Sequence, residues 1–365
     1  MRVAGAAGSV VYVTTPAGGA SGGDGNEVVE RHRIDFPGLS SRAYEHPADR
    51  SALTALRKVP YADSVLKRLA GLFSERRLRL LHLASAVRVE EGQLAYLHEL
   101  RLDAAKTLDL PEIPELYVTA DPTVNAATLG VDRPFIVINS ATLDLYDEDE
   151  LRFVIGHEMG HVLSGHALYS SVLFSLMRVS GLGTTIPLGG LAIAGIVQAL
   201  KEWFRKAELS ADRAGLLVGQ DVAAATRAHM KMAAGVDVAD MSFGAFLRQG
   251  EEYASTGDAR DGVARLMNML ATTHPFAAVR AVELGRWVGS GDYDRIRGGD
   301  YARREDDAET SFTDEVKRAA ASYKDSWDNS EDALVKTLRD LGGGVADVGG
   351  RVFERVRDYV RPRSG

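Results

Sequence analysis

Apolar positions recur at helical spacing through much of this chain. Between about Ser51 and Leu108, Leu66, Leu69, Leu72 and Phe73 share one face. Leu78, Leu80, Leu81 and Leu83 follow in an Arg-rich stretch, then Tyr96, Leu97, Leu100 and Leu102; this period predicts helix. From Pro111 to Asn139 the period is lost. Glu115–Thr119, Val124–Leu129 and Pro134–Ile138 are short apolar runs, punctuated by Asp121-Pro122 and by Gly130 with Asp132, and they predict strands. A helix then opens at Asp147, where Asp147-Glu148-Asp149-Glu150 offers an N-cap, a carboxylate at N3 and charge that suits the helix dipole. It continues through Leu151, Val154 and Ile155 into His157-Glu158-Met159-Gly160-His161. Ala167–Leu200 is apolar except for Arg178, another helix carries Trp203–Leu217, and further helices run to about Val288. The pattern is that of an α+β chain, mainly helical, with a small antiparallel or mixed sheet beside the helix at Asp147.

Four boundaries follow from these shifts. Residues 1–27 are Gly/Ser/Thr-rich and read as a disordered leader; 28–110 form an N-terminal helical region. Residues 111–288 form the domain that carries the chemistry, with an apolar helical hairpin at 167–200. Residues 289–365 form a polar tail, acidic from Glu305 to Asp332 and ending in an amphipathic stripe of Val345, Val348, Val352, Val356, Tyr359 and Val360.

The chemistry centres on two histidines. His157 and His161 are four apart, roughly 400° around a helix, so both imidazoles leave one face a turn apart. That spacing suits two nitrogen ligands of one Zn²⁺, with Glu158 beside them as the base for a metal-activated water. A metzincin would need Gly at 164 and His at 167, but the chain has Ser164 and Ala167. His166 is five beyond His161, about 140° further round the helix, so it cannot complete the site from the same face and reads as a helix-end or surface residue. Downstream, Glu208 and Asp212 share a helical face: Glu208 can close a His₂Glu site, and Asp212 can bond the far nitrogen of a ligand histidine.

Composition narrows the chemistry further. There is no cysteine, so thiol catalysis, disulfides and thiolate ligands are excluded. A net charge of −8 without any basic block interleaved with aromatics argues against nucleic acid as a partner. Met1–Asp24 lacks a signal-peptide layout, which predicts a cytoplasmic protein that is not secreted. Val179–Leu200 carries no charge and is long enough to span a bilayer, but Ala167–Met177 falls well short of the ~20 residues a second span needs. Since His161 and Glu208 must reach one metal, the chain between them crosses an even number of times. The expectation is a hairpin buried against the catalytic core or resting on a membrane surface.

The run "FVIGHEMGHVLSGH" followed by "KAELSADRAG", then Thr273-His274-Pro275 with Arg280, resembles the HtpX-like and CaaX-prenyl-protease-type zinc metallopeptidases, and so does the upstream "NAATLGVDRPFIVINS". The similarity covers roughly residues 60–285. It implies a zincin-like gluzincin domain holding one zinc on His157, His161 and Glu208, with Glu158 as general base. It also implies that Asn125 and Ala126 line the substrate cleft and that His274 serves the oxyanion side. The function expected is a metalloendopeptidase acting on proteins or peptides. The competing readings are a zinc-bound but catalytically quiet binding or chaperone-like module, and a hydrolase of a non-peptide amide.

Overall fold

The computed structural model of the protein describes residues 33–50, 75–171, 173, 189–255 and 276–307, with 189–199 described as backbone alone. The leader, His274, the tail from 308 and the middle of the 167–200 hairpin lie outside the described residues. The chain divides into two units, 1–33 and 34–365, and every described strand and helix belongs to the second.

Four strands form a mixed sheet: β1 (Val87–Arg88), β2 (Leu116–Thr119), β3 (Ala126–Leu129) and β4 (Phe135–Asn139), in the order β1-β2-β4-β3. β4 pairs parallel with β2 and antiparallel with β3, which leaves β3 at the sheet edge. The continuous apolar run of β4 reflects burial on both faces. Ile136 and Ile138 enter the main core, while Phe135 and Val137 point the other way to pack with Tyr117 and Leu78, the two-residue alternation of a strand. The three strands expected from sequence are present. β1 is not among them, because it interrupts the stretch expected to be helical up to Leu108. Leu66, Leu69, Leu72 and Phe73 lie outside the described residues; among the described ones that stretch holds α1 (Glu75–Ser85) and α2 (Ala95–Thr107), on either side of β1. Two residues pairing at an edge leave no periodicity to read.

After β4 come α3 (Ser140–Leu145) and α4 (Glu148–Leu163). Asp147 caps α4 in a capping box, its side chain accepting from the Glu150 amide while the Glu150 carboxylate accepts from the Asp147 amide. Glu150 is fully buried, and Arg227 and Lys231 donate to it at 2.9 and 2.8 Å. From Glu150 to His161 every residue of α4 is buried, so this helix runs through the core rather than over it. α5 (Gly189–Gly219) then takes the second part of the apolar region and the segment around Glu208 as one helix, rather than as two. Among the described residues no helix is long and apolar enough to cross a membrane.

α4 and α5 meet through residues without bulk. A Cβ on Gly156 would stand 2.6 Å from the Cβ of Val218, and one on Gly160 would stand 2.5 Å from the Cβ of Ala214. As the contact moves four residues along α4, it moves four back along α5, so the two helices run antiparallel. α6 (Val222–Ala234), α7 (Phe243–Ser255), α8 (Ala277–Gly289) and α9 (Asp292–Arg297) follow. The chain beyond Gly289 is not all solvent-facing: Tyr293 and Ile296 of α9 belong to the core. Residues 301–307 then return to the 36–42 segment, where Leu39 bridges Arg303 and Ser40 bonds Asp307.

Gly160→Ala tests the helix contact. Helix propensity alone would favour alanine by roughly 0.5–1 kcal/mol, but overpacking against a rigid neighbour costs about 1–3 kcal/mol. The clash wins, and thermal unfolding should show Tm lowered by several degrees. Gly92→Ala, where the added methyl meets nothing within 4 Å, should leave Tm unchanged.

Candidate metal centre

His157 and His161 project from α4 toward Glu208 on α5, and ligand atoms of all three lie within 4.8 Å of one another, all buried. The two Nε2 atoms are 3.2 Å apart. Glu208 Oε1 is 3.1 Å from His161 Nε2, and Oε2 is 3.6 Å from His157 Nε2. Tetrahedral ligands at the Zn–N distance of about 2.0–2.1 Å stand about 3.3 Å apart, so these separations match three corners around one ion. Unshared pairs of two imidazoles and a carboxylate converging on one buried point are a donor set that suits zinc.

Behind His157, Asp212 takes the ring's other nitrogen, Nδ1 to Oδ1 at 3.0 Å. Being four residues beyond Glu208 on α5, Asp212 faces the same way. Arg280 of α8, 2% exposed, joins the two carboxylates: its Nε and Nη2 donate to Asp212 at 2.8 and 2.6 Å, and its Nη1 pairs with Glu208 Oε2 at 2.9 Å. Burial alone would raise both carboxyl groups. The Arg280 charge, aided by neighbouring histidines, outweighs it and holds Glu208 and Asp212 well below the usual carboxylate range.

Glu158 lines the same cleft, and among the described residues it forms no ion pair with an arginine or lysine. Burial pushes its carboxyl above the usual range, against the opposing effects of His157 and of a hydrogen bond from Thr128. The Thr128 hydroxyl has one proton and two acceptors near it, Glu158 Oε2 at 2.7 Å and the Glu158 carbonyl at 3.0 Å. The shorter contact is to the carboxylate. A carboxylate with a raised pKa, held by one donor, is suited to receive a proton.

The site opens into a cleft of about 840 Å³ lined by His157, Glu158 and the edge strand β3 on one side and by Phe246, Tyr253 and Phe276 on another. Asn125 and Ala126 lie on its wall. His157, His161, Glu158, Glu208 and Asp212 thus come together, and Asn125 and Ala126 border them. His274 lies outside the described residues.

His166 lies at the end of α4, one of the two places expected for it, but not at the surface. It is 1% exposed, and its Nδ1 is 3.0 Å from Nδ1 of His161. Counting around a continuing helix misplaces it, because α4 ends at Leu163. Gly165 takes a left-handed φ of +68°, the His166 amide donates to the His161 carbonyl and the Gly165 amide to the Val162 carbonyl. This is a Schellman reversal, which folds the chain back under the helix end. Glycine just past the last apolar residue was the available signal. Thr128 and Asp49 carried none, and Arg280 stood out only through the family resemblance.

The sequence profile of Peptidase family M48 matches residues 91–288. The chain is 32% identical over 287 residues to plastoglobule-localized metallopeptidase 48, chloroplastic, of Arabidopsis thaliana, covering 74% of this chain and 83% of that protein. It is 33% identical over 102 residues to a protease HtpX homolog of Sulfurihydrogenibium sp., covering 27% of this chain and 33% of that protein. A protease HtpX homolog of Tropheryma whipplei is 36% identical over 87 residues, covering 23% of this chain and 30% of that protein. The chain therefore spans about a third of the HtpX homologs it matches. No solved structure matches it.

Replacing Arg280 by glutamine leaves the buried Glu208 and Asp212 facing each other without their cation. Removing one partner of a buried ion pair costs about 3–5 kcal/mol, so the urea unfolding midpoint of the metal-free protein should fall sharply. An unchanged midpoint would mean that Arg280 does not hold these carboxylates.

Proposed function

Because the chain belongs to Peptidase family M48, and is a metallopeptidase, a hydrolase of peptide bonds, we propose that it is a zinc-dependent metalloendopeptidase with Glu158 as its general base. The observation that carries this reading is the convergence of His157, His161 and Glu208 beside Glu158, on a cleft bordered by an edge strand. Those three side chains would hold the ion, His157 and His161 through Nε2. When bound there, zinc supplies Lewis acidity for a carbonyl and makes water acidic enough to serve as a nucleophile near neutral pH.

The remaining work falls to the chain. Glu158 takes the proton of the attacking water and returns it to the leaving amine. Thr128 holds Oε2 of Glu158, which leaves Oε1 for that proton. Asp212, clamped by Arg280, orients the His157 ring. An extended peptide pairs with β3, the edge strand among the described residues, near Asn125 and Ala126, which gives affinity for backbone and places a scissile bond over the metal ligands. His274 acts on the oxyanion side. The raised Glu158 pKa and the spacing of the three ligands both support this division of labour.

The test is cleavage of casein by wild type, Glu158→Gln and His274→Ala, with zinc assayed in each. We expect zinc in all three, cleavage by wild type, no cleavage by Glu158→Gln and reduced turnover by His274→Ala. Zinc without cleavage in wild type would favour the catalytically quiet binding module. Turnover by Glu158→Gln would remove Glu158 as the base.

Thr128→Val gives a second, independent check through pH. The hydroxyl favours the ionised form of Glu158, so its loss leaves burial to raise that pKa further. An ionised base is required, and activity is lost as pH falls through its pKa. The acid limb of the kcat/KM profile should therefore move to higher pH in the variant.

A further inference from the structure

We infer that His166, backed by Asp49, is a positioning residue that fixes the tautomer of His161 and thereby strengthens metal binding at this site. The inference rests on the reading of His157, His161 and Glu208 as a metal site, and it concerns residues that neither the HExxH nor the ExxxD spacing includes.

The geometry is a buried chain of hydrogen bonds. His161 Nδ1 meets His166 Nδ1 at 3.0 Å, His166 Nε2 meets Asp49 Oδ2 at 3.1 Å, and the Ser210 hydroxyl donates to the same Asp49 oxygen at 2.6 Å. All three partners behind His161 are at most 1% exposed. Ser210 also accepts from the His46 amide at 2.9 Å, and its one proton goes to Asp49, because an ionised carboxylate can only accept.

Only one proton arrangement joins this chain to a metal on His161. Nε2 of His161 must present its lone pair, so the proton sits on Nδ1. His166 must receive that proton's hydrogen bond at its own Nδ1, which places the His166 proton on Nε2, facing Asp49. An ionised carboxylate can only accept, and it meets that requirement. The result parallels His157, where Nδ1 faces Asp212 directly. Both ligand rings thus turn the same tautomer to the ion, one through a carboxylate in contact and one through a carboxylate reached across a second imidazole. Such partners orient the ring and raise its strength as a ligand.

The supporting residues come from outside the helix pair. Asp49 belongs to the 34–50 segment, which is held on α4 and α5 by the Tyr44 hydroxyl, bonded to the Gly160 carbonyl and to Ser164, as well as by the His46 amide on Ser210. Trp203 and Tyr169 pack edge-on and tilted in a row beside His166, which keeps this imidazole from turning.

The experiment measures zinc affinity by chelator competition in the full chain for wild type, His166→Leu, His166→Asn and Asp49→Asn, with the urea midpoint of each metal-free protein alongside. Asparagine keeps an acceptor where Nδ1 stood, and leucine keeps bulk alone. Loss of an outer partner of a ligand typically weakens binding about 10–100-fold, so that loss is expected for His166→Leu, a smaller one for Asp49→Asn, and partial rescue for His166→Asn. Nitrogen-15 NMR of the zinc-loaded wild type should show His161 protonated at Nδ1. Wild-type affinity in His166→Leu, or a His161 proton on Nε2, overturns the positioning role. If His166→Leu fails to fold, the other two variants and the NMR tautomer decide the matter. Absence of zinc from the wild type would instead sink the metal reading on which the role depends.

Discussion

The close approach of α4 to α5 at Gly156 and Gly160 is the contact on which the centre is built. His157 and His161 each follow one of these glycines, so the residues that let the backbones meet also set where the imidazoles leave. With a side chain in either place the helices would separate by the width of a methyl group or more. Glu208 would then withdraw from the histidines, whose nitrogens it now meets at 3.1 and 3.6 Å. A metal site tolerates little of that, because its ligand distances vary by only about 0.2 Å.

Charge is the second constraint, and it explains why so much of the structure surrounds four or five side chains. Glu208 and Asp212 are buried against the guanidinium of Arg280, and Glu158 is buried beside them. Three carboxyl groups thus sit close together below the surface, a costly arrangement that a divalent cation would offset. The carboxylates are also treated differently. Arg280 holds Glu208 and Asp212 ionised, the form in which a carboxylate can bind a metal or a ligand's N–H, whereas Glu158 has burial raising it and a hydroxyl restraining the rise. One small region of the core therefore contains carboxylates suited to hold a metal and another suited to exchange a proton.

The rest of the fold delivers these groups from separate parts of the chain. The sheet brings Thr128 to Glu158 on β3, its edge strand among the described residues. α8 supplies Arg280, and the 34–50 segment, itself paired with residues near the end of the described chain, supplies Asp49. The capping box at Asp147 fixes where α4 begins, and the buried Glu150 ties that end to α6 through Arg227 and Lys231. Each connection is modest alone, but together they leave α4 little freedom to rotate or slide.

What could be read without coordinates was whatever a single helix or strand expresses through its own spacing. The HExxH and ExxxD intervals placed His157 with His161, and Glu208 with Asp212, on common faces, because helical periodicity is a local property. The cap of α4 and the strands β2, β3 and β4 were legible for the same reason. The role of Thr128, the clamp of Arg280 and the link from His161 through His166 to Asp49 were not, since their partners lie in other elements and no interval relates them. His166 shows the difference most directly: five residues from His161, it was placed by counting turns of a helix that Gly165 had already ended. Sequence by itself determined which side chains each element would present. Which of them meet, and which meeting holds a proton in place, was decided by packing, because close contact between elements depends on the shape of both.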